Sequence, residues 1–176
     1  MLANSWQVSS LTDLGIHDPI PETGATIEAN AHIKARYLFD RFGKPCFADD
    51  SGLEVSSLGG APGVFSARYA GEQKSDEANM DKLLFELQGK QDRSAQFKTI
   101  ICFVDAHGTA HNFEGTILGM ICLEKRGLNG FGYDPVFIPD GYQATFAEMN
   151  AVEKNMISHR AIAVQKLVNF LNSDHV

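Results

Sequence analysis

The longest clear pattern along the chain is at residues 95–105, where both alternating sets of positions are apolar. Phe97, Ile101 and Phe103 form one set, and Ile100, Cys102 and Val104 form the other. A strand apolar on both faces predicts a sheet covered on both sides. The residues at 106–109 then turn the chain toward 110–114, which predicts an antiparallel hairpin. Residues 116–123 read as a further strand, and Val136, Phe137 and Ile138 as a last short one. Residues 7–11 suggest a short strand near the start. Cys46, Phe47 and Ala48 read as a strand that ends in a turn at Asp49-Asp50-Ser51-Gly52.

Helical spacing appears in three places. Thr23 or Thr26 caps a helix running to about Phe42, with Ile27, Ala31, Leu38 and Phe42 on one face, stopped by Gly43 and Pro45. Ser75 caps a second, with Asp76 and Glu77 in its first turn and Met80, Leu83, Leu84 and Leu87 as its stripe. Ser158 caps a third, in which Ala161, Val164, Val168 and Leu171 are predicted to face the core. Gly59 to Gly71 reads as a long loop. Helices alternating with strands and a hairpin predict an α/β fold with a mixed sheet.

Composition narrows the function classes. The 176 residues are 44% hydrophobic and 21% charged, which suits one globular domain spanning 1–176. No apolar run reaches the ~20 residues of a membrane span. No Lys or Arg precedes Lys34, so no leader peptide is predicted. A net charge of −7 disfavours a nucleic-acid polymer as partner but not a small anion held by local cations. The three cysteines form no CxxC pair, which predicts reduced thiols and a cytoplasmic setting. The histidines lack HxxxH spacing, so a usual zinc site is not predicted. There is no P-loop, no dinucleotide fingerprint and no GxSxG elbow.

Three segments carry candidate chemistry. In Ala48-Asp49-Asp50-Ser51-Gly52 a strand delivers adjacent carboxylates, which suit a hard cation such as Mg²⁺; on spacing alone a turn in which Asp caps backbone amides is the commoner reading. Lys154, His159 and Arg160 surround the start of the last helix, where an anion is favoured and cations imply a negative or accepting partner; a nearby acid such as Glu153 would also serve. Gly130-Phe131-Gly132-Tyr133-Asp134-Pro135 frees the backbone to approach a ligand, offers two aromatic faces to a base, and supplies an acid; folded inward, it is a structural turn.

Read in order, these segments resemble the inosine triphosphate pyrophosphatase family. The matching stretches are Glu22-Thr23-Gly24, Glu28-Ala29-Asn30-Ala31, Lys34-Ala35, Ala48 to Leu53, Gly60-Ala61-Pro62-Gly63, Ser66-Ala67-Arg68-Tyr69, Gly130 to Pro135, Glu153-Lys154 and Ser158-His159-Arg160. The resemblance covers almost the whole chain. It implies a two-lobed α/β fold with a long central mixed sheet, a cleft between the lobes, and a homodimer. It implies Mg²⁺-dependent hydrolysis of ITP, dITP or XTP to the monophosphate and pyrophosphate. Asp50 would be the proton acceptor and a metal ligand, and Glu22 a second ligand. Ser51, Phe131, Gly132, Tyr133, Asp134, Lys154, His159 and Arg160 would bind substrate. One departure stands out: Met1-Leu2-Ala3 aligns with the end of the family's first helix, so the initial strand and phosphate-contacting loop are expected to be absent. Lys34 is the nearest partial substitute. Two alternatives follow: a nucleotide-binding protein with little turnover, and a related pyrophosphatase for pyrimidine or modified nucleotides.

Overall fold

In the computed structural model, residues 6–173 are described; the alignment at Met1-Leu2-Ala3 lies outside them. Helix α1 is Ile27–Phe42, strand β1 Cys46–Val55, helix α2 Asp76–Glu86, strand β2 Ser94–Val104 and strand β3 Ala110–Ile121. Strand β4 is Phe137–Pro139, helix α3 Ala151–Ile157 and helix α4 His159–Leu171. Three short 3₁₀ turns, at Ser56–Leu58, Gly63–Arg68 and Asp134–Val136, stand in the connections. The sheet has the order β1-β2-β3-β4, and each neighbouring pair is antiparallel.

The doubly apolar β2 organises the packing. On one face Ile100, Cys102 and Val104 pack against Ile27, Ala31 and Ala35 of α1. On the other, Ile101 and Phe103 pack against Ala163, Leu167 and Leu171 of α4. A third cluster joins Leu53, Val55 and Phe97 to Met80 and Leu83 of α2, to Leu87 just past its end, and to Phe137 and Phe146. The predicted helix caps hold: the Thr26 hydroxyl accepts from Ala29 N, Ser75 from Ala78 N and Ser158 from Ala161 N. Gly43 ends α1 with φ of 60°, a left-handed position that suits glycine.

Several element boundaries differ from the sequence reading. No strand forms at 7–11; a turn follows at 11–15. The Asp49-Asp50-Ser51-Gly52 segment is not a turn. It lies inside β1, paired residue for residue with Ile101, Ile100, Thr99 and Lys98 of β2. Pairing with an apolar neighbour overrides the weak strand propensity of Asp and Gly. The two strands read at 110–114 and 116–123 are one strand, β3. In α4 the buried stripe is His159, Ala163, Leu167 and Leu171, whereas Val164 is 43% exposed. The short helix α3 was not anticipated; a capping box between Asn150 and Glu153 starts it.

Candidate active site

The site begins where α1 starts. Asn30, one turn into the helix, is buried, and its amide oxygen accepts from Gly24 N at 2.7 Å. A Cβ at Gly24 would run into Ala29 and Asn30, so only glycine lets this loop lie against the helix. The other end of the Asn30 amide donates to Asp50 Oδ2 at 3.5 Å. The loop therefore brings Glu22 toward β1.

Lys34, one turn further along α1, joins the two acids. Its Nζ donates to Glu22 Oε1 at 3.0 Å and to Asp50 Oδ1 at 2.7 Å. Arg68 Nη1 lies 3.9 Å from the other Glu22 oxygen. Burial raises the Asp50 pKa above the ordinary carboxylate value, aided by the Glu22 charge and opposed by Lys34 and Asn30. For Glu22, burial acts upward, but Lys34, Lys74 and Arg68 together carry it below its ordinary value. Lys34 loses by burial and gains more from its two carboxylates, so its pKa is raised and it stays a cation.

A second constellation occupies the opposite face of β1. Side chains alternate along a strand, so Asp49 and Ser51 point away from Asp50. Arg160, in the first turn of α4, donates Nε and Nη2 to Asp49 Oδ2 at 3.3 and 3.2 Å, and Nη2 to Ser51 Oγ at 3.3 Å. Ser51 Oγ also pairs with the buried Thr99 Oγ1 at 2.7 Å. The Arg160 guanidinium carbon lies 6.0 Å from the centre of the Phe131 ring.

Phe131 is 62% exposed and forms an aromatic platform. Lys154 Nζ stands 4.5 Å from its centre and is paired with Asp134, whose Oδ2 also accepts from Phe131 N at 2.8 Å. Gly132 N donates to Asp76 Oδ2 at 2.6 Å, holding the loop to α2. Tyr133 is turned inward, with its hydroxyl donating to Ser66 O at 2.9 Å. His159 is buried and lies flat on Phe97, with centroids 4.7 Å apart and an interplanar angle of 8°. Burial first, then the charges of Arg160 and Lys154, push its pKa down to about 3. It is a neutral imidazole at working pH. Its Nδ1 has no partner among the described residues.

The structure thus links Glu22 to Asp50 through Lys34, and Ser51 to Phe131, Asp134 and Lys154 through Arg160. Sequence reading missed Asn30, Thr99 and the bridging role of Lys34. The signal for Asn30 and Lys34 was their i, i+4 spacing, which puts both on one helix face. Among the described residues no group of three or more His, Cys, Asp or Glu side chains is clustered for a metal ion. The Glu22 and Asp50 pair nonetheless fits Mg²⁺, which takes one or two carboxylates and completes its shell with water and phosphate oxygens.

Fold and site together define an α/β protein with an acid–lysine cluster on one sheet face and an aromatic–cation platform on the other. The chain belongs to the Ham1 family, whose model matches residues 1–170. It is 53% identical over 173 residues to a Flavobacterium psychrophilum protein named dITP/XTP pyrophosphatase, spanning 98% of this chain and 90% of the relative. It is 51% identical over 166 residues to a Christiangramia forsetii protein of the same name, spanning 94% and 87%. The solved structure of the Staphylococcus aureus Ham1 protein matches with a TM-score of 0.91 at 43% identity, covering 95% of this chain and 87% of that one. The family expected from the order of the motifs is borne out, and so is an α/β fold with helices flanking a central sheet; among the described residues that sheet is antiparallel throughout rather than mixed. No helix among the described residues is long and apolar enough to cross a membrane.

Proposed function

We propose that this chain hydrolyses non-standard purine nucleoside triphosphates, ITP, dITP and XTP, to the monophosphate and pyrophosphate, and so clears them from the nucleotide pool. The observation that carries this reading is the Lys34 bridge between Glu22 and Asp50, in a chain whose relatives bear that activity in their names. Glu22 and Asp50 are the ligands we assign to Mg²⁺. When bound there, the cation offsets phosphate charge and orients the triphosphate. Asp50 takes a proton from the water that attacks the α-phosphorus. The bond from that phosphorus to the bridging oxygen breaks, and pyrophosphate leaves with the electron pair.

The base lies on the Phe131 face. Lys154 and Arg160 offer donors to a 6-keto oxygen, whereas a 6-amino group would meet donors with a donor. A site built on such hydrogen bonds rejects the mismatched analogue by roughly 10⁴- to 10⁵-fold. Turnover is favoured over binding alone because the charged acid pair suits a hydrolytic site and the relatives carry a hydrolase name. We further propose a cytoplasmic homodimer with one catalytic domain per chain.

A panel of nucleoside triphosphates, with pyrophosphate detection and with or without Mg²⁺, tests the reading. Pyrophosphate release from ITP, dITP and XTP well above that from ATP, and dependent on Mg²⁺, is the expected result. Release from pyrimidine nucleotides alone, or binding without release, overturns it.

A further inference from the structure

We propose that Asp49 is a positioning residue for nucleotide binding, acting through Arg160 rather than through its neighbour Asp50. This rests on the function proposed above and deepens it. Asp49 and Asp50 are adjacent in sequence but face opposite sides of β1. Asp50 meets Lys34 and Asn30 of α1. Asp49 meets, among the described residues, the Arg160 side, where its Oδ2 accepts from both Nε and Nη2.

Arg160 is held at three points by one strand. Asp49 fixes its charge, and Ser51 Oγ accepts from Nη2. Ser51 is itself fixed by the fully buried Thr99, its cross-strand partner in β2. The guanidinium then stands within 6.0 Å of the exposed Phe131 ring. An arginine free in water carries substantial rotamer entropy that binding must remove. A carboxylate that restrains it beforehand removes part of that loss from the binding step. The Asp49 charge also offsets that of Arg160, leaving it a planar donor beside an aromatic ring rather than a strong phosphate anchor. The Asp49 and Arg160 side chains are 43% and 46% exposed, so their pairing adds little to stability. Its consequence lies in ligand affinity.

The test is a double-mutant cycle of Asp49→Asn and Arg160→Ala, read as the dissociation constant for inosine monophosphate by calorimetry. This ligand has no anhydride to cleave, so the cycle reads positioning even if the proposed turnover fails. Thermal melts of all four proteins accompany it, and each is expected to stay within a few degrees of the parent. Asp49→Asn should weaken binding about fivefold in the parent, the upper range for an exposed ion pair, and have no further effect once Arg160 is alanine. Asp49→Glu should restore most of the affinity. An Asp49→Asn effect that persists in the Arg160→Ala background places Asp49 in the Asp50 or metal machinery and overturns the proposal. Unchanged or tighter binding by Asp49→Asn overturns it as well, as does a parent that does not bind the monophosphate. Failure of the pyrophosphatase reading is seen separately, as binding without pyrophosphate release from ITP.

Discussion

His159 shows how far one side chain's surroundings depart from its chemistry in water. It lies flat on Phe97 with a pKa pushed down to about 3, chiefly by burial. In the unfolded chain the ring takes up a proton near its ordinary value of about 6.5, while in the folded protein it stays neutral. Acid therefore favours the unfolded state: the stability is fully present above the unfolded value and is lost as pH falls toward about 3. Between pH 7 and pH 5 the loss from this one group is about 2 kcal/mol. His159→Gln, which cannot titrate, should flatten the stability profile by that amount relative to the parent. Urea unfolding at both pH values measures it, and identical slopes in parent and variant would refute the assignment of a buried neutral histidine. Such a ring also presents an acceptor as well as a donor, unlike the uniformly donating role that the sequence suggests for it.

At the scale of elements, α4 is set against β3 by a glycine. A Cβ at Gly115 would overlap the His159 carbonyl and the backbone N of Ala163. Neither obstacle is a flexible side-chain tip, so the helix itself must shift. Gly115→Ala is expected to cost about 1–3 kcal/mol, the range for overpacking, and to raise the KM for ITP by displacing Arg160. A denaturant midpoint equal to the parent's would refute this. The same helix shows what the sequence left illegible. Ala161, Val164, Val168 and Leu171 make an apolar stripe in the sequence, but the buried stripe starts from a polar residue, His159, and runs through Ala163 and Leu167. Hydrophobicity alone does not reveal a face entered by a histidine. Likewise Asp49-Asp50-Ser51-Gly52 has turn composition, yet continues β1 because β2 pairs with it residue for residue, Ile101 and Ile100 facing the two aspartates and Thr99 bonding Ser51. By contrast, the helix starts at Ser75 and Ser158 were legible, and that at Thr26 was one of two candidates with Thr23, since capping is decided within three residues.

Across the whole molecule, the sheet separates two halves of the site. Asp50 belongs to the α1 face with Glu22 and Lys34, and Ser51 to the α4 face with Arg160. The motifs named both sets, but only the fold shows that neighbouring residues serve opposite faces, and that Lys34 stands between the two acids. This has a thermodynamic consequence. A cation bound by Glu22 and Asp50 binds the folded state alone, because those residues are 28 positions apart in sequence and are brought together by α1 docking on β1. Mg²⁺ should therefore stabilise the protein, by about 2.7 kcal/mol at one hundred times its dissociation constant. Lys34 already neutralises part of the acid pair, so Mg²⁺ alone must share those oxygens with an ammonium group. A triphosphate offers that ammonium new acceptors. Mg²⁺ and a non-hydrolysable inosine triphosphate analogue should thus raise the unfolding temperature together by more than the sum of their separate effects. Glu22→Gln and Asp50→Asn should each remove the Mg²⁺ contribution while the variants remain folded. Differential scanning calorimetry with Mg²⁺, analogue, both and neither decides it. If both variants keep the parent's Mg²⁺ response, these two carboxylates are not the metal ligands. If the two ligands act independently in the parent, Lys34 is not the group that couples them.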